Sequence, residues 1–153
     1  MKKFSLLFLT FLTLSLVSYA QLSPPEKLQT SVDSKSFVFE ARQTSGVRGG
    51  MIQLDPGFTL LVSPDKVTGD LPFYGRSFTA TPGSSDGGLK FEFSEFDYTV
   101  KLRKKGGWDI TIEPTESNDI RSIYLTVQKT GNASLRITSN SKESMSYTGI
   151  IKE

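Results

Sequence analysis

Few residues in this chain are equipped for catalysis. None of its 153 residues is histidine or cysteine. That removes the Ser-His-Asp triad, the Cys-His pair, histidine-ligated metals and thiolate zinc sites together. Hydrolysis would then need two converging carboxylates or a Ser-Lys arrangement. Glu92, Glu95 and Asp97 are the closest-spaced acids at a boundary between two alternating segments. Glu92 falls on the outer face of the first segment and Asp97 on the outer face of the second, where solvation accounts for both. A calcium contact among Asp86, Glu95 and Asp97 lacks the dense oxygen spacing of a calcium loop. The glycine-rich stretches lack the strand–turn–helix context of a phosphate cradle. No catalytic residue, metal site or cofactor is assigned.

The basic run Arg103-Lys104-Lys105 reads as a solvated hairpin tip. Nucleic-acid binding needs a basic face interleaved with exposed aromatics, whereas the aromatics here sit at inward positions. Asn132-Ala133-Ser134 matches a glycosylation sequon but falls on a hairpin, where turn chemistry explains it. The segment Asp70-Leu71-Pro72-Phe73-Tyr74-Gly75-Arg76 is the one local candidate for a site. Pro72 fixes its own φ and biases Leu71 toward extended geometry. Phe73 and Tyr74 are adjacent on an extended chain, so they cannot both enter one core. One of them is expected at the surface or under a loop. Gly75 permits a bend, and Arg76 can bond carbonyls or pair with an acid. Pro72, Phe73, Tyr74, Gly75 and Arg76 thus form either a rigid corner locking two strands or a rim presenting Tyr74 and Arg76 to a ligand.

The elements that would position this segment are strands. From Ser36 onward apolar residues recur with period two. Phe37, Phe39 and Ala41 share a face, as do Phe58, Leu60 and Val62. A short strand at Met51–Leu54 interrupts a glycine-rich connection. Ser63–Asp70 reads as a turn with Thr68-Gly69-Asp70 as its tight part. A strand at Arg76–Thr81 is expected to point Phe78 and Ala80 inward, before the loop Pro82–Gly88. Leu89, Phe91 and Phe93 alternate next, then Phe96, Tyr98, Val100 and Leu102. Lys104-Lys105-Gly106-Gly107 is a hairpin signal. Trp108, Ile110 and Ile112 return from it to Pro114. Ile123–Val127, Ala133–Ile137 and Met145–Ile151 complete the series. No helical stretch is long enough for a parallel crossover. The expected fold is all-β, a single antiparallel, strongly curved barrel-like sheet of about eight or nine short strands, with a β-sandwich as the alternative.

Residues 1–20 read as a cleavable signal peptide. Lys2 and Lys3 are basic, Phe4–Val17 is apolar, and Ser18-Tyr19-Ala20 supplies small residues for cleavage before Gln21. Residues 21–34 read as a polar lead-in, either loose or containing a short helical turn around Glu26–Thr30, and 35–153 as the β domain. The precursor carries 18 basic and 16 acidic residues; without Lys2 and Lys3 it carries 16 of each. Its basic character therefore belongs to the leader and does not imply nucleic acid. With no cysteine, the new N-terminus takes no thioether lipid, and the domain must fold without disulfides. The expected location is the periplasm, with secretion as the alternative and no stable membrane insertion after cleavage.

Leu71-Pro72-Phe73-Tyr74-Gly75-Arg76 resembles the Leu-Pro-Tyr-Phe-Gly-Arg signature of the DUF4251 family, exported proteins of Bacteroidetes. Gly88-Leu89-Lys90-Phe91, Gly131-Asn132-Ala133 and Ser146-Tyr147-Thr148-Gly149 fit the same pattern, across about residues 28–152. Here the order is Phe73-Tyr74, so the hydroxyl lies one position later and on the opposite face. The resemblance implies a Gram-negative host and export, sometimes through a lipoprotein cysteine that this chain lacks. The family has no assigned activity and supplies no catalytic residue. Taken together, these features point to an exported non-enzymatic domain that binds a small apolar ligand in the envelope. The alternatives are a protein-interaction or structural component with an envelope protein as partner, and a carboxylate-dependent hydrolase.

Overall fold

The computed structural model describes residues 24–45, 49–78, 87–116 and 119–152. The leader segment 1–20 and the loop residues Pro82–Asp86 lie outside them. Among the described residues one helix, α1 (Pro24–Asp33), precedes ten strands. They are β1 (Phe37–Ser45), β2 (Met51–Gln53), β3 (Thr59–Val62), β4 (Val67–Pro72) and β5 (Gly88–Phe93), then β6 (Phe96–Leu102), β7 (Trp108–Pro114), β8 (Ile120–Val127), β9 (Asn132–Ser139) and β10 (Met145–Lys152).

All pairings are antiparallel, in the order β5-β4-β3-β1-β10-β9-β8-β7-β6, with β2 on the far half of β1. The two ends of this order, β5 and β6, are joined by Ser94-Glu95 alone. Direction alternates across the eight pairings, so β5 and β6 run the same way. They are two halves of one bent strand, the first paired with β4 and the second with β7. A strand shared by both edges forces the sheet to curl into a nearly closed barrel, with the stagger that closure requires. The expected barrel-like sheet is observed, and the sandwich is not.

The seams beside the bent strand are covered by other groups. On the β6 side, α1 buries Leu28 and Val32, one turn apart on one face. Tyr98 Oη donates to the Val32 carbonyl at 2.9 Å, and Trp108 Nε1 donates to Gln29 Oε1 at 2.9 Å. On the β5 side, Lys142 Nζ donates to the Gly88 carbonyl at 2.9 Å. Between these closures the inward positions are filled. Phe39, Leu60, Phe93, Ile112, Ile123, Leu135 and Tyr147 are all fully buried, so side chains pack the barrel interior.

Two expectations are corrected. The turn after β3 is Ser63–Lys66, where the Ser63 N–H bonds the Lys66 carbonyl at 2.8 Å, and Thr68-Gly69-Asp70 lies inside β4. Gly69 is a mid-strand glycine because the Phe91 ring of β5 lies over it, where a Cβ would collide with that ring. Of the expected strand at Arg76–Thr81, the described residues 76–78 form one isolated bridge, Ser77 with Lys142. Phe78 is 71% exposed and contributes nothing to the core. Its backbone is engaged by the β9–β10 connection, which turns its ring away from the barrel. Ala80 lies outside the described residues.

Candidate functional site

The segment at the end of β4 is built outward from the core. Leu71 is fully buried, and Pro72 pairs with Gly88 at the last rung of the β4–β5 ladder. The Pro72 carbonyl accepts a 2.7 Å hydrogen bond from Tyr147 Oη, reaching from β10. Burial first, and the neighbouring Tyr74 phenol second, push the Tyr147 hydroxyl above the ordinary tyrosine range. It therefore remains a donor throughout the physiological pH range. Phe73 is half-buried, with the Lys142 ammonium 5.2 Å from its ring centroid. Tyr74 is 40% exposed.

Beyond Tyr74 the chain runs along the β9–β10 connection. Gly75 packs so closely that a Cβ would lie 2.8 Å from the Phe73 ring and 3.3 Å from Glu143 Cβ. The Arg76 N–H donates to Glu143 Oε2 at 3.1 Å, and the Arg76 carbonyl accepts from the Glu143 N–H at 2.8 Å. The Phe78 N–H donates to the Ser141 carbonyl at 2.7 Å. The Arg76 guanidinium is exposed and has no partner among the described residues.

That connection is itself held by Asp119. Ser139 Oγ donates to Asp119 Oδ2 at 2.7 Å, and the Ser141 N–H donates to Oδ1 at 3.0 Å. Burial raises the Asp119 pKa, but the hydrogen bonds from Ser139 and Ser141 and the Lys142 charge outweigh it. The carboxyl ends below its ordinary value.

Phe58, Asp70, Pro72, Phe73, Tyr74 and Lys90 surround an open groove of about 380 Å³ beside this corner. Of the five expected site residues, Pro72, Phe73 and Tyr74 come together as its wall. Gly75 and Arg76 do not line it; they anchor the segment to the β9–β10 connection. Glu92 is exposed and engaged by Lys66 Nζ at 3.3 Å and Thr68 Oγ1 at 3.4 Å. Glu95 and Asp97 are exposed, and Asp97 faces Glu113 across the β6–β7 ladder. Among the described residues no group of three or more acids could hold a metal. Asp86 lies outside those residues. Arg103 pairs with Asp109 at 3.3 Å, and Lys104 and Lys105 are exposed at a hairpin tip. No described helix is long and apolar enough to cross a membrane.

A family model described as "Domain of unknown function (DUF4251)" matches residues 24–151. The chain belongs to the DUF4251 family. No match is found among curated proteins. Among solved structures, this DUF4251 domain resembles a DUF4251 family protein from Bacteroides eggerthii DSM 20697. The two share 18% identity over 84% of this chain and 86% of that one, with a TM-score of 0.60. At that identity the likeness establishes the shared fold.

A larger groove was not singled out in the sequence. It lies on the outer face of β8, β9, β10 and the far half of β1, and includes Tyr124 and Arg136. The available signal was Tyr124 itself, an outward aromatic between inward Ile123 and Leu125.

Proposed function

We propose that this DUF4251 domain is an exported, non-enzymatic binding module of the bacterial envelope. It takes a small apolar ligand in the groove walled by Phe58, Pro72, Phe73 and Tyr74. The observation that carries this reading is the exposed Tyr74 ring on a segment held on both sides. The Tyr147–Pro72 bond lies on one side of it and the Arg76–Glu143 pair on the other. Such preorganisation lowers the ordering cost of binding. The apolar walls suit a ligand body, with Asp70 and Lys90 at the rim for a polar end. Because side chains fill the barrel interior, the ligand sits at this rim and not inside. Export is inferred from residues 1–20 together with the family.

Native mass spectrometry of the protein purified from its own envelope tests both halves. A chain beginning at Gln21 and carrying a small-molecule adduct is the expected result. In a companion titration with the neutral apolar probe N-phenyl-1-naphthylamine, Tyr74→Ala is expected to weaken binding several-fold. A retained Met1 would end the export reading, and a Tyr74→Ala variant with unaltered probe affinity would end the groove reading.

A further inference from the structure

The larger groove sets one cation and a row of hydroxyls into a largely apolar surface. Its volume is about 450 Å³, and two rows of outward side chains cross it in register. Tyr124, Arg136 and Ser146 are successive partners across β8, β9 and β10. Thr126, Ser134, Thr148 and Gln43 are successive partners across β8, β9, β10 and β1. The bulge at Arg42 keeps this second row continuous. It shifts the register between Ala41 and Gln43, so that Gln43 falls opposite Thr148. Met51 of β2 stands at one end, 68% exposed, and Tyr124 on the far side is 46% exposed.

Charge and hydrogen-bonding capacity narrow the ligand. Among the described residues Arg136 is the one charged side chain lining the groove, and no described acid lines it. Its guanidinium has no partner among the described residues, and neither do the Ser134 and Ser146 hydroxyls. Thr126 donates to Asp109 Oδ1 at 2.8 Å, and Thr148 donates to Gln43 Oε1 at 3.3 Å. Both threonines therefore keep lone pairs as acceptors, while the Gln43 amide nitrogen remains a donor. The groove thus offers a planar cationic fork for a carboxylate, an alternating set of hydroxyl donors and acceptors, and an aromatic surface.

Other ligand classes meet fewer of these features. A peptide adding as a strand needs a free edge, and the backbones under the groove are already paired on both sides in β8, β9 and β10. Nucleic acid needs several cations along a track, and among the described residues the groove holds one, Arg136. A purely apolar molecule would leave the hydroxyls and the guanidinium desolvated without partners. An acidic sugar meets all three features with its carboxylate, its ring hydroxyls and its C–H face. We propose that this groove binds a uronic-acid-containing oligosaccharide, with the carboxylate on Arg136 and the ring face on Tyr124. Four strands at about 4.8 Å spacing give the hydroxyl row a span of about 14 Å, which favours an oligomer over a single ring. This site is separate from the Tyr74 groove and stands whether or not that groove binds an apolar ligand.

The test titrates the isotopically labelled protein with trigalacturonate while following its backbone amide signals. The fully methyl-esterified trimer and acetyl-dialanine, a free-carboxylate peptide, are run in parallel. Saturable shifts clustered at Tyr124, Arg136 and Ser146 are expected. The ester is expected to bind about tenfold more weakly, because it removes one charge-assisted hydrogen-bonded pair. Arg136→Gln should lose about the same factor for the acid and nothing for the ester. Tyr124→Ala should weaken both trimers alike. All of these residues are exposed, so thermal midpoints should stay unchanged, which separates lost binding from lost folding. Equal affinity for acid and ester would overturn the proposal, as would tighter binding of the peptide, shifts centred elsewhere, or no saturation up to about 10 mM.

Discussion

Tyr147 does two tasks with one side chain. Its ring fills the barrel interior and its hydroxyl holds the Pro72 carbonyl, so the core and the Leu71–Arg76 corner share a single anchor. Tyr147→Phe keeps the ring and leaves that carbonyl without its donor. The expected loss is about 1–1.5 kcal/mol, read as a lower urea midpoint with an unchanged slope. The same variant should also speed amide exchange at Phe73 and Tyr74. A midpoint equal to that of the parent protein would show that the bond contributes nothing to stability. Sequence alternation placed Tyr147 on an inward face, and adjacency required Phe73 and Tyr74 to part. What the hydroxyl bonds was not legible, because its partner lies 75 residues away. Arg76 illustrates the same limit. Its type suggested a ligand contact, yet the structure uses its backbone, which every residue type shares.

At the scale of the element, the bent strand β5–β6 and its neighbour β4 carry the most constraint. Phe91 and Phe93 stack with ring centroids 5.9 Å apart, and Phe93 meets Phe96 edge-on at 5.9 Å across the bend. The Phe91 ring reaches this position only because Gly69 opposite has no side chain. Gly69→Ala is expected to cost about 1–3 kcal/mol through forced displacement of the ring. Combining it with Phe91→Leu should recover part of that loss. Strictly additive midpoint shifts in the double-mutant cycle would count against the packing account. Glycine between Thr68 and Asp70 has the composition of a turn, and local chemistry alone points there. The deciding contact comes from another strand, and in this instance it overrides the local preference.

For the molecule as a whole, two acids, Glu40 and Asp119, are held below the ordinary carboxyl range. Glu40 is buried on the outer face of β1, with Arg42 Nε 2.8 Å away and Lys152 bonded to its other oxygen. The Lys152 hydrogen bond lowers its pKa, burial opposes that, and the Arg42 charge adds to the lowering. Asp119 is lowered as well. A depressed carboxyl contributes stability that is complete above its unfolded value of about 4 and is lost as pH falls through the folded value. Urea midpoints should therefore hold from pH 7 to about 5 and fall below it. Glu40→Gln and Asp119→Asn should each lower the neutral midpoint and flatten the acid limb. A midpoint constant down to about pH 3 would remove this assignment.

Alternation of apolar and polar residues was enough to determine an antiparallel all-β chain and the inward face of most strands. That information is local, because side chains two apart along a strand share a face. The missing histidine and cysteine likewise settled which catalytic chemistries the chain cannot perform. Only the tertiary structure decided that β5 and β6 are one strand, that Phe78 leaves the core, and that the Arg76 backbone is tied to Glu143. It alone also brought Tyr124, Arg136 and Ser146 together. Each of these depends on which distant strand lies alongside, and pairing partners are chosen by the closure of the whole barrel.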